Sequence, residues 1–389
     1  MSHRLVLTGG NGFLGWHLRV LCRALGWPEP AVIGRAELAD PLRVADKLTG
    51  ADRLVHLAGV NRGTPDQVAV GNVALARAVA EGLRRCQRPP QQVAFANSIQ
   101  AGNGTPYGDS KAAAAALLAE ASPRPDAFID LLLPNLFGEH GRPDYNSVVA
   151  TFCRRLADDV SPQIRDDRPL DLVHAGDAAA ALAGAPTGDT WSTALSARRI
   201  SVGQLAGLLG RFATDYRGGE IPALADRFET QLFNTYRSHV FPQAYPMPLI
   251  RRGDHRGDLV EVVRVHGGGG GGQVFCSTTR PGASRGEHFH LAKIERFAVL
   301  AGSGEIRLRR VASRETARFP VSGERPVVVD MPTMWAHHIV NTGNDDLVTL
   351  FWADQVFDPA RPDTYPELVE PPQVRIGSPA PTGAPVVTR

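Results

Sequence analysis

Two sets of residues in this 389-residue chain have the types and spacing to do chemistry. Tyr107 and Lys111 stand four apart, so on a helix they share one face. An ammonium beside a phenol lowers the phenol pKa and can also hold a ribose, which makes Tyr107 a usable acid near neutral pH. Ser98 ends the strand-like run Ala96-Asn97-Ser98, where its hydroxyl can hydrogen-bond a substrate carbonyl. The second set lies far downstream. His288 and His290 alternate, and on a strand both imidazoles project to one side. Glu295 can return to the same point after a turn, and His337 or its neighbour His338 supplies a fourth group from a separate run. Three imidazoles and one carboxylate suit a divalent metal such as Zn, Fe, Mn or Ni. Either pattern alone is common by chance: Tyr-x-x-x-Lys as helix surface, His-x-His as an incidental pair in a β protein.

Context gives the first set its weight. Thr8-Gly9-Gly10-Asn11-Gly12-Phe13-Leu14-Gly15 follows a first strand and opens a first helix. Gly9, Gly12 and Gly15 allow a tight turn and close approach to a pyrophosphate, and the helix N-terminus offers N–H groups and the positive end of its dipole. At the end of the second strand stands Gly34-Arg35 rather than the carboxylate that usually takes a ribose hydroxyl. An arginine there matches a 2′-phosphate by charge and by its forked donors, which favours NADPH over NADH, although Glu37 is close by.

The elements that must position these groups change character along the chain. Leu5–Leu7, Ala31–Gly34, Arg53–Leu57, Gln92–Ala96 and Ile129–Leu133 are strand candidates. Between them lie the helical patterns Gly15–Leu25, Ala69–Cys86 and Lys111–Ala121, with a later one at Val202–Ala213. That rhythm predicts βαβ units and a doubly wound parallel sheet. After the Pro-punctuated passage Pro242–Pro248 the texture becomes all-β, with runs at Leu259–Val265, Gln273–Ser277, Glu305–Arg309, Pro326–Val329 and Leu347–Phe351. The reading divides the chain into residues 1–245, residues 246–371 and a Pro/Gly/Thr-rich, disordered tail at 372–389. Gly267–Gly272 reads as a flexible loop.

Composition narrows the partners. The content is globular at 43% hydrophobic, and the formal net charge of +2 leaves no field that favours nucleic acid or an anionic membrane. The four cysteines lie far apart and form no Cys-x-x-Cys pair, as expected of reduced thiols. No signal-peptide core and no apolar run of membrane length is visible, so the expectation is a cytoplasmic protein.

The N-terminal combination resembles the extended short-chain dehydrogenase/reductase superfamily. His56-Leu57-Ala58-Gly59, Asn72-Val73 and Leu133-Pro134-Asn135-Leu136-Phe137-Gly138 match its further landmarks. By that resemblance Ala58 and Gly59 line the cofactor and Asn135 contacts a nucleotide sugar. Ser98 lies nearer Tyr107 than in many members. Downstream, G-x5-H-x-H-x4-E-x6-G over Gly282–Gly302 and P-x4-H-x3-N over Pro332–Asn341 resemble the two motifs of the metal-binding cupins. The spacing to Asn341 selects His337 over His338. Met334 departs from a usual glycine.

Joined, the halves are similar to bifunctional capsule-biosynthesis enzymes, UDP-2-acetamido-2,6-dideoxy-hexos-4-ulose reductases with a C-terminal zinc cupin. The specific strings are His56–Arg62, Pro134–Gly138, Asn146–Cys153, Pro281–Phe297, Phe357-Asp358-Pro359 and Pro362-Asp363-Thr364-Tyr365. The resemblance implies C-3 epimerisation of a UDP-4-keto sugar in the cupin and NADPH-dependent reduction at C-4, in a homodimer. Lys293 and His338 are weak candidates for the epimerisation base. Two other readings remain: a single-activity nucleotide-sugar enzyme whose cupin is a dimerisation module, and an NADPH-binding sensor without catalysis.

Overall fold

The computed structural model describes residues 3–371 except 187, 189 and 268–270. The tail at 372–389 and the middle of the glycine run therefore lie outside the described residues. Five strands, β1 (Leu5–Thr8), β2 (Ala31–Ile33), β3 (Arg53–His56), β4 (Gln92–Ser98) and β5 (Phe128–Leu133), form one parallel sheet in the order β2-β1-β3-β4-β5. All five stand where the sequence pattern predicts them. β1 is buried along its whole length, as a strand covered on both faces must be. One face packs on Leu18, Leu21 and Ala178–Ala183, the other on Val44, Leu48, Val79, Leu83 and Leu118. The order reverses between β1 and β3, which opens a crevice outside the carboxyl ends of the strands. The first helix, α1 (Phe13–Ala24), starts at that crevice.

Two helices begin earlier than their apolar periodicity suggests. Thr64 and Thr105 each accept a backbone N–H as N-cap, and a proline follows each at the first helical position. The second helix, Pro106–Ala121, thereby carries both Tyr107 and Lys111 in its first turns. Past β5, a smaller sheet of Asn135–Phe137, Pro169–His174 and Arg198–Ser201 is covered by the helices Val148–Ala157, Val202–Arg217 and Arg227–Val240.

The C-terminal part is two five-stranded antiparallel sheets packed as a cupin-like barrel. One sheet runs Gln273–Thr279, Leu347–Ala353, Glu295–Ala301, Val327–Met331, Met247–Pro248. The other runs Thr316–Ser322, Ser303–Arg310, Trp335–Asn341, Ser284–Phe289, Tyr365–Pro366. Phe297, Val329 and Phe351 of the first sheet share a core with Ile306, Leu308 and Ile339 of the second. The strand expected at Leu259–Val265 is instead a short exposed hairpin, Arg251–Asp254 with Gly257–Val260. Its Asp254-His255-Arg256-Gly257 turn is polar, and a two-stranded ribbon stops once the apolar run leaves the partner strand.

The two parts share a buried polar seam. Arg296 and Asp330, on neighbouring barrel strands, form a bidentate pair at 2.6 and 2.9 Å, with side-chain exposures of 1% and 0%. Arg296 also donates to the Gly219 carbonyl, and Tyr216 of the helix Val202–Arg217 donates to Asp330 at 2.7 Å. Arg237 of the helix Arg227–Val240 donates to the Met331 carbonyl.

Candidate functional site

At the crevice, Gly9 sits at φ +69°, and a Cβ there would lie 2.8 Å from the Ala58 nitrogen. A Cβ on Gly15 would lie 2.4 Å from the Gly9 carbonyl, so the turn closes only without side chains. Gly12 is the N-cap of α1 and has no side chain to cap it, which leaves first-turn N–H groups for an anion. The Thr8 hydroxyl accepts the Leu57 and Ala58 N–H groups, each at 3.2 Å, and so holds Ala58-Gly59 beside the glycine turn. Arg35 is exposed at the end of β2. Glu37 is occupied locally, because its carboxylate accepts the Gly34 N–H at 2.9 Å.

Ser98, Tyr107 and Lys111 meet beside the same crevice. Ser98 ends β4, and its hydroxyl acts on the neighbouring Tyr107 phenol. Lys111 is buried; its Nζ donates to the Ala96 carbonyl at 2.6 Å and lies 4.0 Å from the centre of the Phe95 ring. Burial lowers the ammonium pKa to about 8, with Asp130 acting in the other direction. The expected lowering of the Tyr107 phenol is not found. Burial raises it, the Ser98 hydroxyl works against that rise, and the Lys111 charge is directed to Ala96 instead. Asn135 is exposed just past β5, and its amide reaches the Asp171 carbonyl at 3.4 Å.

In the barrel, His288, His290, Glu295 and His337 come together, with ligand-type atoms all within 4.8 Å of one another. A β-bulge makes this possible. The ladder with Trp335–Asn341 shifts between Gly286 and His288, with Glu287 at φ +64°, and the shift sets His288 opposite His337. Glu295 arrives from the other sheet. Its carboxylate lies 3.0 Å from His290 Nε2 and 3.5 Å from His337 Nε2.

The second ring nitrogens are held from behind. His290 Nδ1 meets the Asp363 carbonyl at 2.5 Å and His337 Nδ1 meets the Trp335 carbonyl at 3.1 Å. A carbonyl only accepts, so each Nδ1 carries a proton, which leaves each Nε2, facing the Glu295 carboxylate, as the atom that would meet a cation. Both Nε2 atoms are buried without a well-aligned hydrogen bond, as a metal ligand would be. The donor set fits a divalent cation. Burial lowers His288 to about 3, with the neighbouring rings adding to the effect. His338, on the opposite face of its strand, bonds Glu287, and Lys293 Nζ is held by the Pro362 carbonyl and the Thr364 hydroxyl.

Sequence reasoning missed a buried network between the two sites. Glu139 accepts from Thr333 at 2.8 Å, bonds His174 at 3.0 Å, and offers its backbone carbonyl to His17 of α1. Burial opposes its charge, yet His174 holds the carboxyl down to about 2. One residue earlier on α1, Trp16 donates to the Val311 carbonyl and packs with Phe289, Met334 and Ala336, beside the cluster histidines. No spacing signal marks these residues, because they meet only across the seam. A cavity of about 420 Å³ opens along the same seam, lined by Glu139, His174, Arg227, Asp354 and Asp363 among others.

A glycine-turn crevice with a Tyr/Lys pair, joined to a His/Glu barrel, defines a nicotinamide-dependent oxidoreductase-type domain with an appended cupin-like domain. Residues 5–187 match the NAD dependent epimerase/dehydratase family, and residues 252–365 match the polysaccharide biosynthesis C-terminal domain. The chain is 31% identical over 370 residues to the UDP-2-acetamido-2,6-beta-L-arabino-hexul-4-ose reductase of Pseudomonas aeruginosa, covering 93% of this chain and 98% of that protein. It is 32% identical to the capsular polysaccharide assembling protein CapF of Staphylococcus aureus, with a TM-score of 0.56 over 94% of this chain and all of that one. CapF in complex with the inhibitor 3-isopropenyl-tropolone matches at 28% identity and a TM-score of 0.50, over 94% and 99%. The chain belongs to the family of this UDP-2-acetamido-2,6-beta-L-arabino-hexul-4-ose reductase. Among the described residues no helix is long and apolar enough to cross a membrane.

Proposed function

We propose that the chain is a bifunctional nucleotide-sugar enzyme that epimerises C-3 of a UDP-4-keto-6-deoxy-N-acetylhexosamine and then reduces the ketone at C-4. Residues 1–245 act as the NADPH-dependent reductase and residues 246–371 as the metal-dependent epimerase. The convergence of His288, His290, Glu295 and His337, with two buried Nε2 atoms that lack a well-aligned hydrogen bond, carries the reading. Similarity to a reductase of a UDP-linked 4-keto sugar supports the substrate class.

In the reductase half, Gly9, Gly12 and Gly15 let the backbone approach a pyrophosphate, and Arg35 offers a fork to a 2′-phosphate. Bound NADPH supplies the hydride. The Tyr107 hydroxyl gives its proton to the C-4 oxygen as the alkoxide forms, and the Ser98 hydroxyl orients the carbonyl. Lys111, beside the phenol on the same helix face, holds the nicotinamide ribose. Asn135 faces the sugar-nucleotide side.

In the barrel, His288, His290, Glu295 and His337 hold the divalent cation, zinc in the first instance. Bound there, it supplies Lewis-acid polarisation of a keto oxygen. Epimerisation removes the C-3 proton and returns one to the opposite face, while the Nδ1–carbonyl bonds hold the His290 and His337 rings in place.

The test is solvent exchange without NADPH. Zinc-loaded protein in D2O should place deuterium at C-3 of the 4-keto sugar, and chelator-stripped protein should not. Absence of exchange from the loaded protein sinks the epimerase half. Tyr107→Phe should leave exchange intact and cut reduction by about 100- to 10,000-fold; unchanged reduction would end the reductase assignment.

A further inference from the structure

The segment Pro362-Asp363-Thr364-Tyr365 is specific in sequence and has no part in the reactions just described. It starts sixty positions beyond the last residue of the first cupin-like motif, yet the structure folds it back onto that motif. Tyr365 pairs with Phe289, between the two cluster histidines, as the edge strand of the second sheet.

Asp363 makes the closest engagement. Its carboxylate accepts three successive backbone N–H groups, from Leu291 at 3.0 Å, Ala292 at 2.9 Å and Lys293 at 2.7 Å. These residues form the turn that carries the chain from His290 to Glu295. The carbonyl of the same residue accepts His290 Nδ1–H at 2.5 Å. Lys293 completes the clasp by donating its ammonium to the Pro362 carbonyl and the Thr364 hydroxyl. Asp363 is buried and sits at φ +38°, a left-handed conformation that few residues besides Gly, Asn and Asp adopt. Here it lets one residue point its carboxylate at the turn and its carbonyl at the imidazole together.

We propose that Asp363 is the positioning residue of the metal centre. It fixes His290 in the Nδ1–H tautomer and sets the His290–Glu295 turn, so that two of the four ligands are held before a cation arrives. The inference rests on the metal-centre reading above. Outer partners of this kind govern metal affinity through ligand orientation and basicity.

The experiment measures Zn²⁺ affinity by competition with a chelating dye, on full-length wild type, Asp363→Ala and Asp363→Asn. It also records ¹⁵N shifts of the His290 ring in the Zn²⁺-loaded proteins. Wild type should show Nδ1–H and unprotonated Nε2. Asp363→Ala should lose about 10- to 100-fold in Zn²⁺ affinity and show a mixture of tautomers. Asp363→Asn tolerates the left-handed backbone and keeps one acceptor, so it should recover most of the affinity and the single tautomer. NADPH binding and thermal unfolding serve as the check that each variant is folded. A wild type without Zn²⁺ affinity removes the metal-centre reading itself. A wild type that binds Zn²⁺ while folded Asp363→Ala binds it equally, with an unchanged His290 tautomer, overturns only the role of Asp363.

Discussion

Replacing Asp330 with Asn should destabilise the protein far more than an ordinary surface change, because it leaves a buried guanidinium without its counter-charge. Asp330 and Arg296 are essentially inaccessible, and the carboxylate receives Arg296 Nε at 2.6 Å, Arg296 Nη2 at 2.9 Å and the Tyr216 hydroxyl at 2.7 Å. An amide keeps one acceptor oxygen but turns an NH2 donor toward the guanidinium or the phenol. Breaking a buried pair from one side costs about 3–5 kcal/mol. Arg296 retains the Gly219 and Val262 carbonyls at 2.7 and 3.2 Å, which places the expected loss near the lower end, about 3 kcal/mol. Urea unfolding followed by tryptophan fluorescence measures it. The apolar double variant Arg296→Met with Asp330→Leu should recover most of the loss, since it removes both charges together. A loss below about 1 kcal/mol, or a double variant as unstable as the two singles combined, would refute the reasoning. The pH sign is fixed as well. Burial opposes the Asp330 charge but Arg296 outweighs it, so the folded carboxyl titrates below its ordinary value. Its contribution is therefore full above about pH 4 and is lost only as pH falls through the lower folded value. Between pH 6 and 8 the gap between wild type and variant should stay constant.

Other expectations concern the crevice. Gly15→Ala drives a Cβ to 2.4 Å from the Gly9 carbonyl and 2.7 Å from Gly10 Cα, so NADPH affinity should fall by at least about tenfold, or about 1.4 kcal/mol; calorimetry showing wild-type affinity would contradict the turn geometry. Arg35→Ser should weaken NADPH by about tenfold and leave NADH nearly unchanged, as expected for one exposed charge-assisted contact; equal effects on both cofactors would show that Arg35 does not read the 2′-phosphate. Burial lowers Lys111 to about 8, so kcat/KM for ketone reduction should decline as pH rises through about 8 and the ammonium is lost. A profile flat from about pH 7 to 9.5 would remove Lys111 from the reaction.

The parts legible in the sequence are those with a short period. β1–β5 read out of their apolar runs, and the glycine turn, the Tyr107/Lys111 pair and the His288/His290 alternation are local patterns that geometry projects without outside help. The starts of the helices at Pro65 and Pro106 are marked by Thr64-Pro65 and Thr105-Pro106, a capping signal that lies ahead of the apolar periodicity. The helix Arg227–Val240 was not legible, because Asn234 and Arg237 look solvent-facing but are buried against the barrel, where they donate to the Ala292 and Met331 carbonyls. Arg296 and Asp330 hide for the same reason: charges on a strand read as its outer face, and only the seam between the two parts gives them partners. Glu139, His174 and Thr333 come from three distant segments, and Asp363 reaches back across more than seventy positions to His290. The raised Tyr107 phenol reflects burial that no spacing rule reports.

The claim that both halves act in sequence on one ketone is tested most directly by NMR of a single product. UDP-4-keto-6-deoxy-N-acetylhexosamine is incubated in D2O with NADPH of ordinary hydrogen content and zinc-loaded protein. The account predicts a C-4 alcohol with inverted C-3 that carries deuterium at C-3 and protium at C-4. A C-4 alcohol with protium at an uninverted C-3 would contradict it.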